Sequence, residues 1–113
     1  MSKAIRLQIE PVRTIGFAAI GAVYSSLGTP MTKPIRMISL VNYTDTGVMI
    51  SVDGVHDHIP MVPNGYMILD ITSNKTLIEG FFLAEGQQLF VKAIGALPTL
   101  GSVYLTVYYG AEL

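Results

Sequence analysis

The chain has 113 residues, of which 50% are hydrophobic and 13% are charged, and its net charge at pH 7 is −1. That length corresponds to one domain, the near-zero charge provides no general attraction to nucleic acid or anionic membranes, and the lack of cysteine excludes disulfides and thiolate zinc sites. Because soluble domains are roughly one quarter charged and a small core shelters limited apolar surface, we predict that other copies or another protein cover the outer faces.

Basic and acidic residues are unevenly distributed. Residues 1–36 hold five basic residues and one acidic residue, whereas residues 37–113 hold two basic and seven acidic residues. One interpretation is that the basic segment of one copy pairs with the acidic region of a neighbouring copy. The other is that the charged residues simply lie at the solvent-exposed positions of short strands. The N-terminus lacks the apolar run of a secretory signal. The uncharged stretch 14–32 is too rich in glycine, serine, threonine and proline to span a bilayer, so we expect no membrane partner.

Strand patterns begin at the N-terminus. Residues 5–9 alternate between apolar and polar side chains, which predicts a strand with one buried face. Pro11 ends that strand because proline cannot donate to a central ladder, and we interpret residues 1–13 as a possible contact or strand-exchanging arm. Gly16 and Gly21 then predict either bulges or a close approach of the backbone to another segment.

Residues 25–34 form a predicted loop, since two prolines exclude regular strand pairing. Leu27, Pro30 and Met31 are apolar in a segment that strands cannot bury, so we predict that this loop contacts a partner. The alternative is a loop that folds back on the core of its own chain. Residues 35–41 are apolar on both faces, which predicts a central strand.

Turn signals divide the remaining chain. Residues 42–47 predict a turn, Asp53 and Gly54 predict a two-residue type I′ hairpin with a return strand at 55–59, and residues 63–65 predict another turn. Further strands are predicted at 66–71, 76–83, 88–94 and 102–109. Eight or nine short strands predict a single all-β domain over residues 1–113, either an antiparallel β-sandwich or a jelly-roll-like small barrel.

The last predicted strand, 102–109, places Tyr104, Thr106 and Tyr108 on one face, which is typical of an amphipathic interface or a core edge. Tyrosines can stack on nucleic-acid bases, but that role requires interleaved basic residues and this strand has none. We therefore expect no nucleic-acid partner.

Reactive side chains form no specific constellation. The metal-capable cluster Asp53, His56, Asp57 and His58 lacks a third histidine, which favours a solvated hairpin over a metal site. Serines occur in turns without an ordered base, and Glu79 and Glu85 are interpreted as solvated strand ends instead of a hydrolytic pair. We predict a protein that is not an enzyme and has no cofactor and no metal.

Carbohydrate binding is the alternative function. Sugar sites combine an exposed aromatic ring with nearby carboxylate or amide groups, and the candidates are Tyr43, Asp45, Asp57 and Asn64. The alternative hypothesis is therefore a ligand-binding β-sandwich module, which in the setting implied by the family resemblance described next would lie on a tail or fibre.

Six segments carry a family resemblance: GFAAIGAVY at 16–24, ISLVNYTD at 38–45, MISVDGVHD at 49–57, DITSNK at 70–75, FLAEG at 82–86 and GSVYLTVYYG at 101–110. Together they resemble small structural proteins of tailed-bacteriophage virions. The resemblance implies a virion component made in the bacterial cytoplasm and present in many copies. Its expected place is the capsid surface, as a decoration protein, or the head–tail connector and collar, where it binds a capsid, portal or neck protein.

The family resemblance implies no catalytic residues. From the residues themselves, we predict an interface with copies of the same chain and with the larger particle protein. Its members are apolar or aromatic residues of the arm, the proline loop and the last strand: Ile5, Leu7, Leu27, Pro30, Met31 and Tyr108.

Overall fold

The computed structural model describes residues 5–32, 35–70 and 87–112, with side chains for 8–32, 35–70 and 87–109. In these residues, nine strands form two antiparallel sheets, which confirms the predicted all-β sandwich. The strands are β1 (Ile5–Ile9), β2 (Arg13–Gly16), β3 (Ser25–Ser26), β4 (Ile35–Thr44), β5 (Val48–Ser51), β6 (Ile59–Met61), β7 (Tyr66–Asp70), β8 (Phe90–Ala93) and β9 (Gly101–Glu112). A short 3-10 turn, Phe17–Ala19, follows β2.

The first sheet has the order β1-β9-β4-β7, with β2 also paired to β9, and the second has the order β3-β8-β5-β6. The core lies between them and is lined by fully buried aliphatic side chains from both, such as Leu40 and Leu105 from the first and Ile50 and Val91 from the second. Alternation along each strand produces this arrangement, because inward and outward side chains follow each other with period two.

Strand β4 is central, as predicted, but its side chains do not alternate regularly along its whole length. A bulge between Ile35 and Met37 shifts the register against β9. Ile35 is therefore buried with Ile38 and Leu40, although simple alternation assigns it to the opposite face. The extra residue in the bulge reverses the side on which the following side chains point.

Strands β1 and β2 lie end to end along one edge of β9. Ile9 pairs with Tyr108 and Arg13 pairs with Leu105, so three residues on one side oppose two on the other. Pro11 lies in this bulge, where its missing N–H costs no ladder bond. The predicted arm 1–13 thus includes the first residue of β2, and residues 5–9 pair with their own chain; strand exchange between copies stays a prediction.

The proline loop packs onto the core of its own chain. The Leu27 N–H donates to the Leu89 carbonyl at 2.8 Å, and the Met31 N–H donates to the Gln87 carbonyl at 2.7 Å. These bonds turn Leu27 and Met31 inward, where they are 0% and 2% exposed. The expectation that strands cannot bury these side chains is wrong, and the alternative of a loop folded onto its own core is confirmed.

The predicted two-residue hairpin at Asp53 and Gly54 is also wrong. Strands β5 and β6 do pair, but seven residues, 52–58, connect them. Gly54 has φ +77°, whereas Asp53 does not take the positive φ that a type I′ turn requires. Instead, the Gly54 N–H donates to Ser51 Oγ at 2.9 Å, and Asp53 Oδ1 accepts from the His56 N–H at 2.8 Å.

The predicted turn at 63–65 is confirmed. The Gly65 N–H donates to the Val62 carbonyl at 2.9 Å, and Asn64 has φ +60°. Proline at the second position and a positive φ at the third are the signature of a type II turn. The predicted strand 76–83, together with Glu79 and Glu85, lies outside the described residues.

Candidate interaction surface

The outer face of the five-stranded sheet carries a continuous set of tyrosine and aliphatic side chains. Residues directly opposite each other in paired strands project to the same side of a sheet. The ladders place Val41 between Tyr66 and Tyr104, and Ser39 between Ile68 and Thr106. We call this outer surface the tyrosine face; its described members are Ile9, Thr14, Met37, Ser39, Val41, Tyr43, Tyr66, Ile68, Asp70, Ser102, Tyr104, Thr106 and Tyr108.

The tyrosine face is exposed and almost without charge. Tyr43, Tyr66 and Ile68 are 60%, 75% and 61% exposed, and Asp70 is the one charged residue among the described members. Depletion of charge and enrichment in tyrosine distinguish the centre of a protein interface from ordinary surface. The exposed tyrosine and aliphatic side chains of this face are therefore features of an interaction site.

Loop 52–58 of the same chain packs over β8 on the outer face of the four-stranded sheet. Gly54 packs on the Phe90 ring, since a Cβ there would lie 3.3 Å from ring atom Cδ1. Asp57 Oδ1 lies 3.1 Å from Lys92 Nζ and accepts a hydrogen bond from the Tyr24 hydroxyl. The Lys92 ammonium also lies 4.8 Å from the centre of the Tyr24 ring. The outer surface of the four-stranded sheet thus carries charged side chains that pair within the chain, whereas the tyrosine face is almost without charge.

Hydrogen bonds set the ionisation of the loop. Those from the His56 N–H, the His56 ring and the Val55 N–H hold the pKa of Asp53 below its usual value. The Tyr24 hydroxyl and then Lys92 lower the pKa of Asp57. Partial burial, followed by the hydrogen bond to Asp57 and the negative charges of Asp57 and Asp53, raises the pKa of Tyr24 to about 12. The carboxylates of Asp53 and Asp57 are therefore ionised near neutral pH while the loop makes these hydrogen bonds.

Acid is expected to release loop 52–58 from its sheet. Because the folded pKa values of Asp53 and Asp57 lie below the usual value of about 4, their contribution to stability is fully present above about pH 4. It is lost as the pH falls through the folded pKa values, when the carboxylates take up protons. NMR shifts of the Val55 and His56 amides across this range measure the release. Asp53→Asn is the control, and unchanged amide shifts in the wild-type loop down to the lowest pH would contradict the prediction.

The residues considered for a metal site bind different partners. His56 Nδ1 lies 2.7 Å from Asp53 Oδ2, whereas His58 Nδ1 accepts the Val52 N–H at 3.1 Å. Asp57 is engaged by Tyr24 and Lys92. Across residues 5–32, 35–70 and 87–112, no group of three or more histidine, cysteine or acidic side chains is arranged to hold a metal ion.

The four residues considered for carbohydrate binding do not come together. Asp45 precedes β5 and Asn64 follows β6, so both lie at one end of this strand pair, whereas Asp57 lies in the loop at the opposite end. Asp45 also accepts a hydrogen bond from the Thr99 N–H at 2.8 Å and another from the Thr99 hydroxyl, which lowers its pKa. Asp57 is therefore separated from the end of the strand pair at which Asp45 and Asn64 lie.

Of the predicted interface residues, Tyr108 belongs to the tyrosine face and Pro30 is exposed on its loop. The side chains of Ile5 and Leu7 lie outside the described part of the chain. Leu27 and Met31 are buried in the core and do not line a contact surface. The sequence reasoning missed Tyr66 and Ile68, although their period-two spacing was a usable signal.

Comparison with known proteins identifies no family. No family model matches the chain, and no curated protein matches it. Among the described residues, no helix has the length and apolar character to cross a membrane.

Proposed function

We propose that this protein is a non-enzymatic structural component of a tailed-phage virion that assembles in multiple copies and binds a larger head or neck protein. The observation that supports an assembly role is the exposed, nearly uncharged tyrosine face. The resemblance of the turn and strand-end segments to small virion proteins supports the phage setting.

The mechanism is shape-matched burial of this face. Tyrosine supplies a large apolar ring together with a hydroxyl that can find a partner at the rim of a contact. Exposed rings such as Tyr66 lose water contact when a partner docks, while backbone hydrogen bonds within the sheet keep the surface rigid. Repeated placement in a symmetric particle makes individually modest contacts cumulative.

The carbohydrate-binding alternative has less support. Asp57 is held by Tyr24 and Lys92 on the other sheet, at a distance from the end that carries Tyr43. Without Asp57, the predicted platform is incomplete. A glycan array on assembled protein measures this function directly.

Co-expression tests the proposed function. We expect the tagged chain to form a defined complex with a head, portal or neck protein encoded beside it, measured as mass by light scattering. The double variant Tyr66→Ser with Ile68→Ser should weaken that complex at least about tenfold, because copies that no longer associate through the tyrosine face lose the cumulative effect of binding at several points. The matched control is Val23→Ser with Val55→Ser, which changes two valines that are 75% and 73% exposed elsewhere. A chain that binds none of these particle proteins would contradict the proposal.

A further inference from the structure

We infer that the tyrosine face packs against the same face of a second copy, sheet on sheet, around a two-fold axis. The inference rests on the assembly role within the proposed function, and it is independent of the phage setting. In this arrangement a second copy covers the tyrosine face, and the larger particle protein binds to other surfaces of the chain.

The size of the face fits a dimer contact. It spans four strand positions, formed by β1 with β2, β9, β4 and β7, and the ladder between β4 and β9 has nine pairs. At about 4.8 Å between strands and about 3.4 Å per residue, and with only five residues in β7, the flat footprint is roughly 500 Å² per copy. Two facing copies then bury about 1,000 Å², the size expected of a weak, reversible dimer.

The chemistry of the face is complementary to itself. Its described members include four tyrosines, two serines and two threonines, and every hydroxyl both donates and accepts hydrogen bonds. An identical face can therefore satisfy them without a second kind of surface. Asp70 ends β7 at a corner of the face, so that like-charge repulsion at the centre is absent among the described members. The described part of this face has no electrostatic potential complementary to that of a strongly charged partner.

Closure of the assembly also favours a pair. Two twisted sheets pack face to face about 10 Å apart with their strands nearly aligned, and a two-fold contact uses the same patch on both subunits. On the second sheet, loop 52–58 already packs over β8, where its Asp57 is bound to Tyr24 and Lys92. Sheet-on-sheet stacking thus ends at two copies and leaves the rims of the pair available to a larger protein.

A charge placed on the face tests the inference. We expect sedimentation over a dilution series to show a reversible dimer, and Ile68→Lys to raise its Kd at least about 100-fold because an unpaired ammonium becomes buried. Val55→Lys is the control, since Val55 lies in loop 52–58, away from the tyrosine face, and is 73% exposed, against 61% for Ile68. Equal urea midpoints for both variants establish that folding is intact.

A cysteine reporter gives a second readout, because the chain has no cysteine of its own. Thr106→Cys lies at the centre of the face, and its alkylation should slow as protein concentration rises, whereas Val55→Cys should react at a constant rate. A wild-type monomer at every concentration, or a dimer equally tolerant of Ile68→Lys and Val55→Lys, would overturn the inference.

The two proposals fail separately. A dimer that depends on Ile68 but binds no particle protein supports the face-to-face pair and removes the virion role. A monomer that binds a head protein through Ile68 supports the virion role and overturns the face-to-face pair.

Discussion

Replacing Gly101 with alanine is expected to prevent folding or to reduce the free energy of unfolding by more than about 4 kcal/mol. Gly101 opens β9 at φ +86°, and an added Cβ would lie 1.8 Å from the Tyr43 carbonyl oxygen. It would also lie 2.8 Å from the Tyr43 carbonyl carbon and 3.1 Å from Thr44 Cα. These are backbone atoms of the paired strand β4, so no side chain can move aside to relieve the overlap. Soluble yield and urea unfolding measure the effect.

Gly95→Ala is the matched control for Gly101→Ala. Gly95 also has a positive φ, +73°, but an added Cβ meets no atom within 4 Å in the described part of the chain. Only the left-handed backbone penalty of about 1–2 kcal/mol applies. Equal losses in the two variants would show that backbone conformation, and not the close approach of β9 to β4, determines the cost.

Replacing Asn42 with alanine is expected to reduce the free energy of unfolding by about 3–5 kcal/mol, because buried groups lose their partners. Asn42 is 0% exposed, and its Nδ2 donates to the carbonyls of Thr46 at 3.0 Å and Val62 at 3.0 Å. Its Oδ1 accepts from the Thr44 hydroxyl at 2.6 Å. The side chain joins β4 of the first sheet to the end of β6 in the second, so its loss affects both sheets. Urea unfolding measures the change.

Thr46→Val provides the contrast to Asn42→Ala. In the described residues, Thr46 Oγ1 is buried without a hydrogen-bond partner. Removing that hydroxyl should leave stability unchanged or raise it slightly, because no bond is lost and one desolvation cost disappears. A loss for Thr46→Val as large as that for Asn42→Ala would show that packing at this turn, and not the amide network, provides the stability.

Alternation along single strands was readable from the sequence. Val103, Leu105 and Val107 are all 0% exposed, as their period-two spacing in the predicted last strand indicates. Tyr104 and Tyr108 occupy the opposite face for the same reason. Local spacing suffices here because pleating alone decides which side of a strand each residue faces.

Asn42 and the hairpin at Asp53 show where local signals fail. Asn42 matches a turn residue, yet it lies within β4 because its amide finds carbonyls at 46 and 61–62. Asp53 and Gly54 match a tight turn, yet Asp53 instead binds the amides of Val55 and His56. In both places the side chain has several possible partners, and only the folded chain determines which of them lies within reach.

The sequence by itself determined the all-β class and the separation of the two faces of β9, because strand spacing and turn chemistry act over a few neighbouring residues. Only the tertiary structure decided that Leu27 and Met31 are buried, since that depends on hydrogen bonds to residues 87–89 far along the chain. It likewise decided the tyrosine face, because β4 pairs with both β7 and β9 and so brings their outward side chains together. Strand order is a long-range choice, and no local pattern specifies it.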